Sequence, residues 1–204
     1  MHKLITLEQC KHIVDWCHSR NLEFYLESNN GLFGSEHFEE KGDPVMKIYS
    51  QRKGKPNANK ATVKSIFSKM IFGWKLYCND CNKVSFILNG YQDHLDSIKE
   101  FPDLKPGTWG GIGEIALFGD LGVKGIDKGH AIDVSLDYLH ASLEDTFAFG
   151  DAQNDATMLQ YCSKGIAIGN ATDELKDIAD EVTESVDNAG IAKALYKYFP
   201  ELFD

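Results

Sequence analysis

The chain has 204 residues, 43% hydrophobic and 25% charged, a balance that suits one or two folded domains and is too apolar for a disordered chain. Its formal charge of −10 argues against nucleic acid as a partner, because phosphate backbones are held by clustered lysines and arginines. No apolar run approaches the roughly 20 residues needed to span a bilayer, and five cysteines with no framework spacing and no signal peptide before them point to a reducing cytoplasm.

Thr6 and Gln9 make a capping-box pair, and Cys10, Ile13, Val14 and Cys17 recur at helical spacing, so an amphipathic helix is expected first. Two short aromatic-rich runs, Phe24 to Glu27 and Leu32 to Phe33, flank Asn29, Asn30 and Gly31 and read as a hairpin. The Gly, Pro, Lys and Asn content from Lys41 to Lys60 suits an exposed connection, and Thr62 to Phe72 reads as a helix. Val84 to Leu88 is a buried-strand pattern, followed by a helix from Gln92 to Glu100. Pro102, Pro106, Gly107, Gly110, Gly111 and Gly113 then crowd together, which places a domain boundary near residue 110 and divides the chain into 1–110 and 111–204.

Beyond that boundary, strands and helices alternate. A helix opens at Gly129 and runs through Leu139, a strand covers Thr146 to Phe149, and a helix spans Asp155 to Cys162. A strand from Gly165 to Ile168, a helix from Thr172 to Ala179, a short strand from Glu181 to Glu184 and a last helix from Ile191 to Phe199 complete the order. This βαβ order predicts an α/β fold with a parallel sheet covered by helices.

The strongest chemical signal is Phe147-Ala148-Phe149-Gly150-Asp151-Ala152-Gln153-Asn154-Asp155, an apolar strand that ends in two acids and an amide before a helix. In parallel sheets, ligands collect at the carboxyl ends of strands, and hard oxygen donors there suit Mg²⁺. Asp151 is the candidate metal ligand. A bland alternative is that Asp151 and Asp155 only cap the next helix, but that leaves Gly150 unexplained. The second element is Gly125-Ile126-Asp127-Lys128-Gly129, where a lysine at a helix start can approach a phosphate; Lys128 is the candidate and Lys124 a poorer one. One local positive group or a metal ion can offset the unfavourable overall charge for a small phosphorylated substrate.

Together these segments resemble the haloacid dehalogenase superfamily, specifically the Cof-type (IIB) sugar phosphatases. The resemblance rests on Gly125 to Gly129, Gly150 to Asp155, Ala167-Ile168-Gly169-Asn170-Ala171, Ala179 to Thr183 and Gly190 to Ala194. It implies a Rossmann-like core half at 111–204 behind a C2-type α/β cap at 1–110 that closes over the substrate. It further implies that Asp151 binds Mg²⁺, Lys128 holds the phosphoryl oxygens, Asn154 hydrogen-bonds the phosphate, and Asp155 orients the lysine. The implied reaction is phosphoryl transfer to an aspartate followed by hydrolysis.

That family opens with an Asp-x-Asp-Gly-Thr loop whose first aspartate is the nucleophile, and no Asp-x-Asp occurs in this chain. The expectation is therefore an N-terminally truncated form, inactive alone, whose Thr146 to Phe149 edge pairs with another chain, is covered by the protein's own segments, or drives aggregation. The alternative is a non-catalytic binding module derived from such a phosphatase. Cys78-Asn79-Asp80-Cys81 has the spacing of half a zinc site with no second pair after it, and Cys10 and Cys17 read as core. His130 and His140 are assigned surface or capping roles, and Asn170, although it opens a glycosylation-like triplet, is assigned none.

Overall fold

The computed structural model describes residues 4–111 and 113–203, and the chain divides into two units between Lys124 and Gly125. In the first unit the order is α1 (Leu7–Ser19), β1 (Phe24–Ser28), β2 (Gly31–Gly34), α2 (Phe38–Arg52), α3 (Val63–Ile66), β3 (Met70–Ile71), β4 (Cys81–Ile87), α4 (Tyr91–Glu100), β5 (Leu104–Trp109) and β6 (Phe118–Val123). The second unit contains α5 (Lys128–Leu139), β7 (Phe147–Gly150), α6 (Ala156–Tyr161), β8 (Lys164–Ala167), α7 (Asp173–Asp177), β9 (Glu181–Val182) and α8 (Gly190–Tyr198). Among the described residues no helix is long and apolar enough to cross a membrane.

Six strands form the sheet of the first unit in the order β3-β2-β1-β4-β6-β5, antiparallel except for the short β2–β3 pair. Both of its faces are covered, so β1 and β4 bury residues of both parities. Phe24, Leu26, Val84 and Phe86 join Ile13, Val14, Trp16 and Cys17 of α1 in one apolar cluster. Tyr25 and Ile87 face the other way, into a cluster with Phe38 and Met46 of α2 and Val63 of α3. The Thr6 hydroxyl accepts the amide hydrogen of Gln9, and the Gln9 side chain accepts that of Thr6, which is the reciprocal cap expected for α1.

Three expectations are corrected here. Residues 41–52 are helical rather than a loose connection, because Phe38, Gly42, Met46 and Ser50 form one buried stripe at i, i+4 spacing, and this packing overrides Pro44 inside the helix. A Cβ on Gly42 would lie 2.5 Å from Val63, so the glycine lets α3 sit against α2. The helix expected over 62–72 stops at Ile66, and Met70–Ile71 instead pairs in parallel with β2.

The third correction concerns the boundary. The Gly/Pro cluster after Pro102 does not separate units, because Leu104–Trp109 and Phe118–Val123 pair along their whole length. Pro106 is tolerated because β5 is the last strand of the sheet, where one side of the backbone needs no partner. Gly107 and Gly119 are needed for close packing: a Cβ on the first would meet the Asp120 carboxylate at 2.5 Å, and on the second the Phe86 ring at 2.5 Å. The division falls later, at Gly125, whose φ of +72° gives the chain a turn that other residues rarely adopt.

The second unit holds a three-stranded parallel sheet in the order β7-β8-β9. Its small core gathers Ala148, Leu159, Cys162, Ala167, Ala171 and Leu175. The small residues reflect close spacing: a Cβ on Gly165 would lie 2.1 Å from the Leu159 carbonyl oxygen, so only glycine lets β8 pass beneath α6. The α/β fold class and the parallel order read from the sequence hold.

Candidate functional site

In the parallel register, Gly150 lies opposite Ala167, so β7 and β8 end side by side and the loops after them leave the same end of the sheet. After β7 the backbone makes a tight turn through Gln153–Asp155 into α6. Asp155 is 5% exposed, and its Oδ2 accepts the backbone N–H of Asp151 at 3.1 Å and of Ala152 at 3.2 Å. The carboxylate therefore folds the loop back on itself. The Asp155 side chain makes no capping bond to α6 itself, but the bond it accepts from the Ala152 amide caps the Gln153–Asp155 turn that leads into that helix, so capping and the lysine contact are carried by one carboxylate. Gly150 now has a reason as well: a Cβ there would stand 2.6 Å from the Asp155 Cβ.

The other oxygen of Asp155 accepts a hydrogen bond from the Lys128 ammonium, which lies 27 positions earlier in the chain. Lys128 is the first residue of α5, whose amino terminus is capped by Asp127 accepting the His130 amide hydrogen at 2.9 Å. Gly129 is buried, and a Cβ there would lie 3.0 Å from the Thr157 carbonyl oxygen, so its absence lets the start of α5 approach α6. Burial of Asp155 disfavours its charged form. The hydrogen bonds from Lys128 and from the amides of Asp151 and Ala152 outweigh burial and hold its carboxyl below the usual carboxylate range.

Asp151 itself is exposed. The Asn170 amide nitrogen lies 3.5 Å from its Oδ2, at the long limit for a hydrogen bond, while the Asn170 oxygen accepts the Val186 N–H at 3.1 Å. Asn170 follows β8, and Gly169 before it packs so closely that a Cβ would sit 2.7 Å from the Ser185 nitrogen. Asn170, given no role by its sequence triplet, stands in the structure one loop from Asp151. The signal was its place directly after the neighbouring parallel strand.

The structure thus gathers Lys128, Asp151, Asp155 and Asn170, with Asn154 exposed in the same loop. Lys124 is not part of the group: its ammonium hydrogen-bonds the Pro102 carbonyl in the first unit. His140 adopts a left-handed conformation at the carboxyl end of α5 and His130 is half-buried. The arrangement offers one buried, paired carboxylate, one ammonium held by it, and one carboxylate exposed to solvent. That pattern of a fixed cation beside free hard oxygens suits a phosphate and a divalent ion.

The profile of the haloacid dehalogenase-like hydrolases matches residues 1–195. The chain belongs to that family. Among curated relatives of this haloacid dehalogenase-like chain, phosphatase YwpJ of Bacillus subtilis is 41% identical over 73 residues, which are 36% of this chain and 26% of that protein. The aligned stretch thus spans about a quarter of that relative. Among solved structures, a phosphatase of the haloalkanoate superfamily from Bacteroides thetaiotaomicron aligns with a TM-score of 0.69 at 23% identity, covering 97% of this chain and 67% of that one. A subclass IIB sugar phosphatase of the haloacid dehalogenase superfamily aligns with a TM-score of 0.69 at 22% identity, covering 96% of this chain and 68% of that one. Both likenesses concern the fold.

Proposed function

We propose that residues 125–204 supply the metal- and phosphate-binding part of a Mg²⁺-dependent phosphatase for a small phosphorylated metabolite, with sugar phosphates as the first class to test. In this reading Asp151 binds Mg²⁺, Lys128 holds the phosphoryl oxygens, Asn154 hydrogen-bonds the phosphate, and Asp155 keeps the lysine charged and aimed. Asn170 adds a hydrogen bond that steadies the Asp151 carboxylate. The observation that carries it is the chain of contacts from the Lys128 ammonium through Asp155 to the backbone of Asp151.

The donor set fits the ion. Mg²⁺ takes one or two carboxylates together with water and phosphate oxygens, and the exposed Asp151 carboxylate leaves room for both. The ion would supply positive charge to the phosphoryl oxygens beside the Lys128 ammonium. Support for the substrate class comes from the names of the phosphatase relatives and of the sugar phosphatase with the similar fold.

Transfer by this chemistry needs a carboxylate nucleophile, and the chain contains no Asp-x-Asp pair. We therefore expect negligible turnover of p-nitrophenyl phosphate by this polypeptide with Mg²⁺ present, and that same absence favours the binding-module reading as the alternative. Calorimetric titration separates the parts of the proposal. Mg²⁺ should bind the wild type and not Asp151→Ala, whereas Lys128→Ala should keep Mg²⁺ binding and lose binding of inorganic phosphate. Turnover that survives rigorous purification and disappears in Asp151→Ala overturns the inactivity. Equal Mg²⁺ binding by wild type and Asp151→Ala overturns the metal assignment.

A further inference from the structure

Cys10, Cys78 and Cys81 come together in the first unit although the first is far from the others in sequence, and their sulfurs all lie within 4.8 Å of one another. The Cys10 and Cys78 sulfurs are 3.9 Å apart. In a tetrahedral thiolate site with a Zn–S bond of about 2.3 Å, neighbouring sulfurs stand about 3.8 Å apart, so the trio needs only a small contraction to share one ion. From these positions we propose that Cys10, Cys78 and Cys81 form a zinc site that staples the loop before β4 to α1.

Each sulfur comes from a different local setting. Cys10 is on the buried face of α1, Cys81 opens β4, and Cys78 lies three positions before it in the irregular stretch between β3 and β4. Cys10 and Cys81 are fully buried and Cys78 is half-buried, so an ion would be shielded on one side and reachable from the other. The Cys-x-x-Cys spacing brings two ligands from one short turn, and the helix brings the third. The fourth corner falls to solvent or to a donor outside the trio.

The stretch that the ion would fix has few apolar anchors of its own. Phe72, Trp74 and Tyr77 are all substantially exposed, with Trp74 stacked on Phe33 at 5.7 Å and the Tyr77 hydroxyl donating to Asp15 at 2.6 Å. Cys81 is also joined to the start of the chain, since its carbonyl accepts the Ile5 N–H at 2.9 Å. On binding, three S–H bonds give up their protons to solvent and three Zn–S bonds form, with no change of oxidation state. Thiolate sulfur selects a thiophilic cation, which separates this site chemically from the oxygen donors around Asp151.

The test uses the intact chain, reduced and stripped of metal, titrated with Zn²⁺ against a chromophoric chelator and with Co²⁺ in parallel. One Zn²⁺ per chain, thiolate-to-cobalt charge-transfer absorption, and loss of both in Cys78→Ser are expected, with Asp151→Ala unaffected. Circular dichroism checks that Cys78→Ser is folded. If it is not, alkylation of Cys78 in the wild type decides, and Zn²⁺ should slow it. Absence of zinc binding by the reduced chain, binding unchanged in folded Cys78→Ser, or labelling that zinc does not slow overturns the proposal. A Cys10–Cys78 disulfide formed in air by a chain that takes up no zinc when reduced overturns it equally.

Discussion

Asp155 carries the local order of the candidate site, because one carboxylate receives an ammonium and two backbone amides. Its pKa is depressed in the folded chain, so its contribution to stability is complete above the unfolded value of about 3.9 and is lost as pH falls through the lower folded value. Acid denaturation of wild type and Asp155→Asn should therefore differ most above about pH 4 and converge below it. Because the Lys128 side chain is half exposed, the ion-pair part of that difference should stay near or below about 1 kcal/mol. Chemical denaturation at a series of pH values checks this, and a difference that grows on acidification contradicts the assignment. Asp151, Asp155 and Lys128 stand out because acids after an apolar strand, and a lysine followed by a glycine at a helix start, are unusual patterns. Asn170 and Cys10 look ordinary in their own segments, and only their neighbours across the fold give them a role.

Helix α1 forms where its capping box and apolar spacing agree, and its buried face holds Cys10, Ile13, Val14, Trp16 and Cys17. Thr6→Ala removes the acceptor for the Gln9 amide and should destabilise the chain by about 1 kcal/mol. Urea unfolding with an unchanged slope checks it, and an unaltered midpoint would count against the cap. Helix α2 and the β5–β6 hairpin were hidden for one reason. Pro44, Pro106 and the surrounding glycines carry local signals for loops, whereas a buried i, i+4 stripe and an edge position in the sheet accommodate them. Local propensity is a weak force beside burial of Phe38, Met46 and Phe118.

At the scale of the molecule, the sheet of the second unit has three strands among the described residues, and β7 lies at its edge with Phe147 and Phe149 half-buried. Phe147 packs edge-on against Tyr198 at 5.1 Å and Phe199 at 4.8 Å, but among the described residues no strand pairs with the outer backbone edge of β7. Helix α5 adds exposed apolar surface at Val134, Tyr138 and Leu139, the last two 84% and 67% exposed. We propose that this edge pairs with a second copy of the chain. Light scattering after size exclusion should give a mass above the monomer value, rising with concentration. A strictly monomeric chain across the accessible range would refute self-association.

The amino-acid sequence alone determined the family, the α/β class, the alternation after Gly125 and the acid and lysine signals of the site, because each depends on neighbours within one strand-turn-helix segment. Tertiary structure decided where the units divide, that residues 41–52 are helical, which face of each segment is buried, and which distant side chains meet. Those outcomes depend on packing between segments far apart in the chain, and no local pattern encodes the three-way meeting of Cys10 with Cys78 and Cys81 or of Asn170 with Asp151.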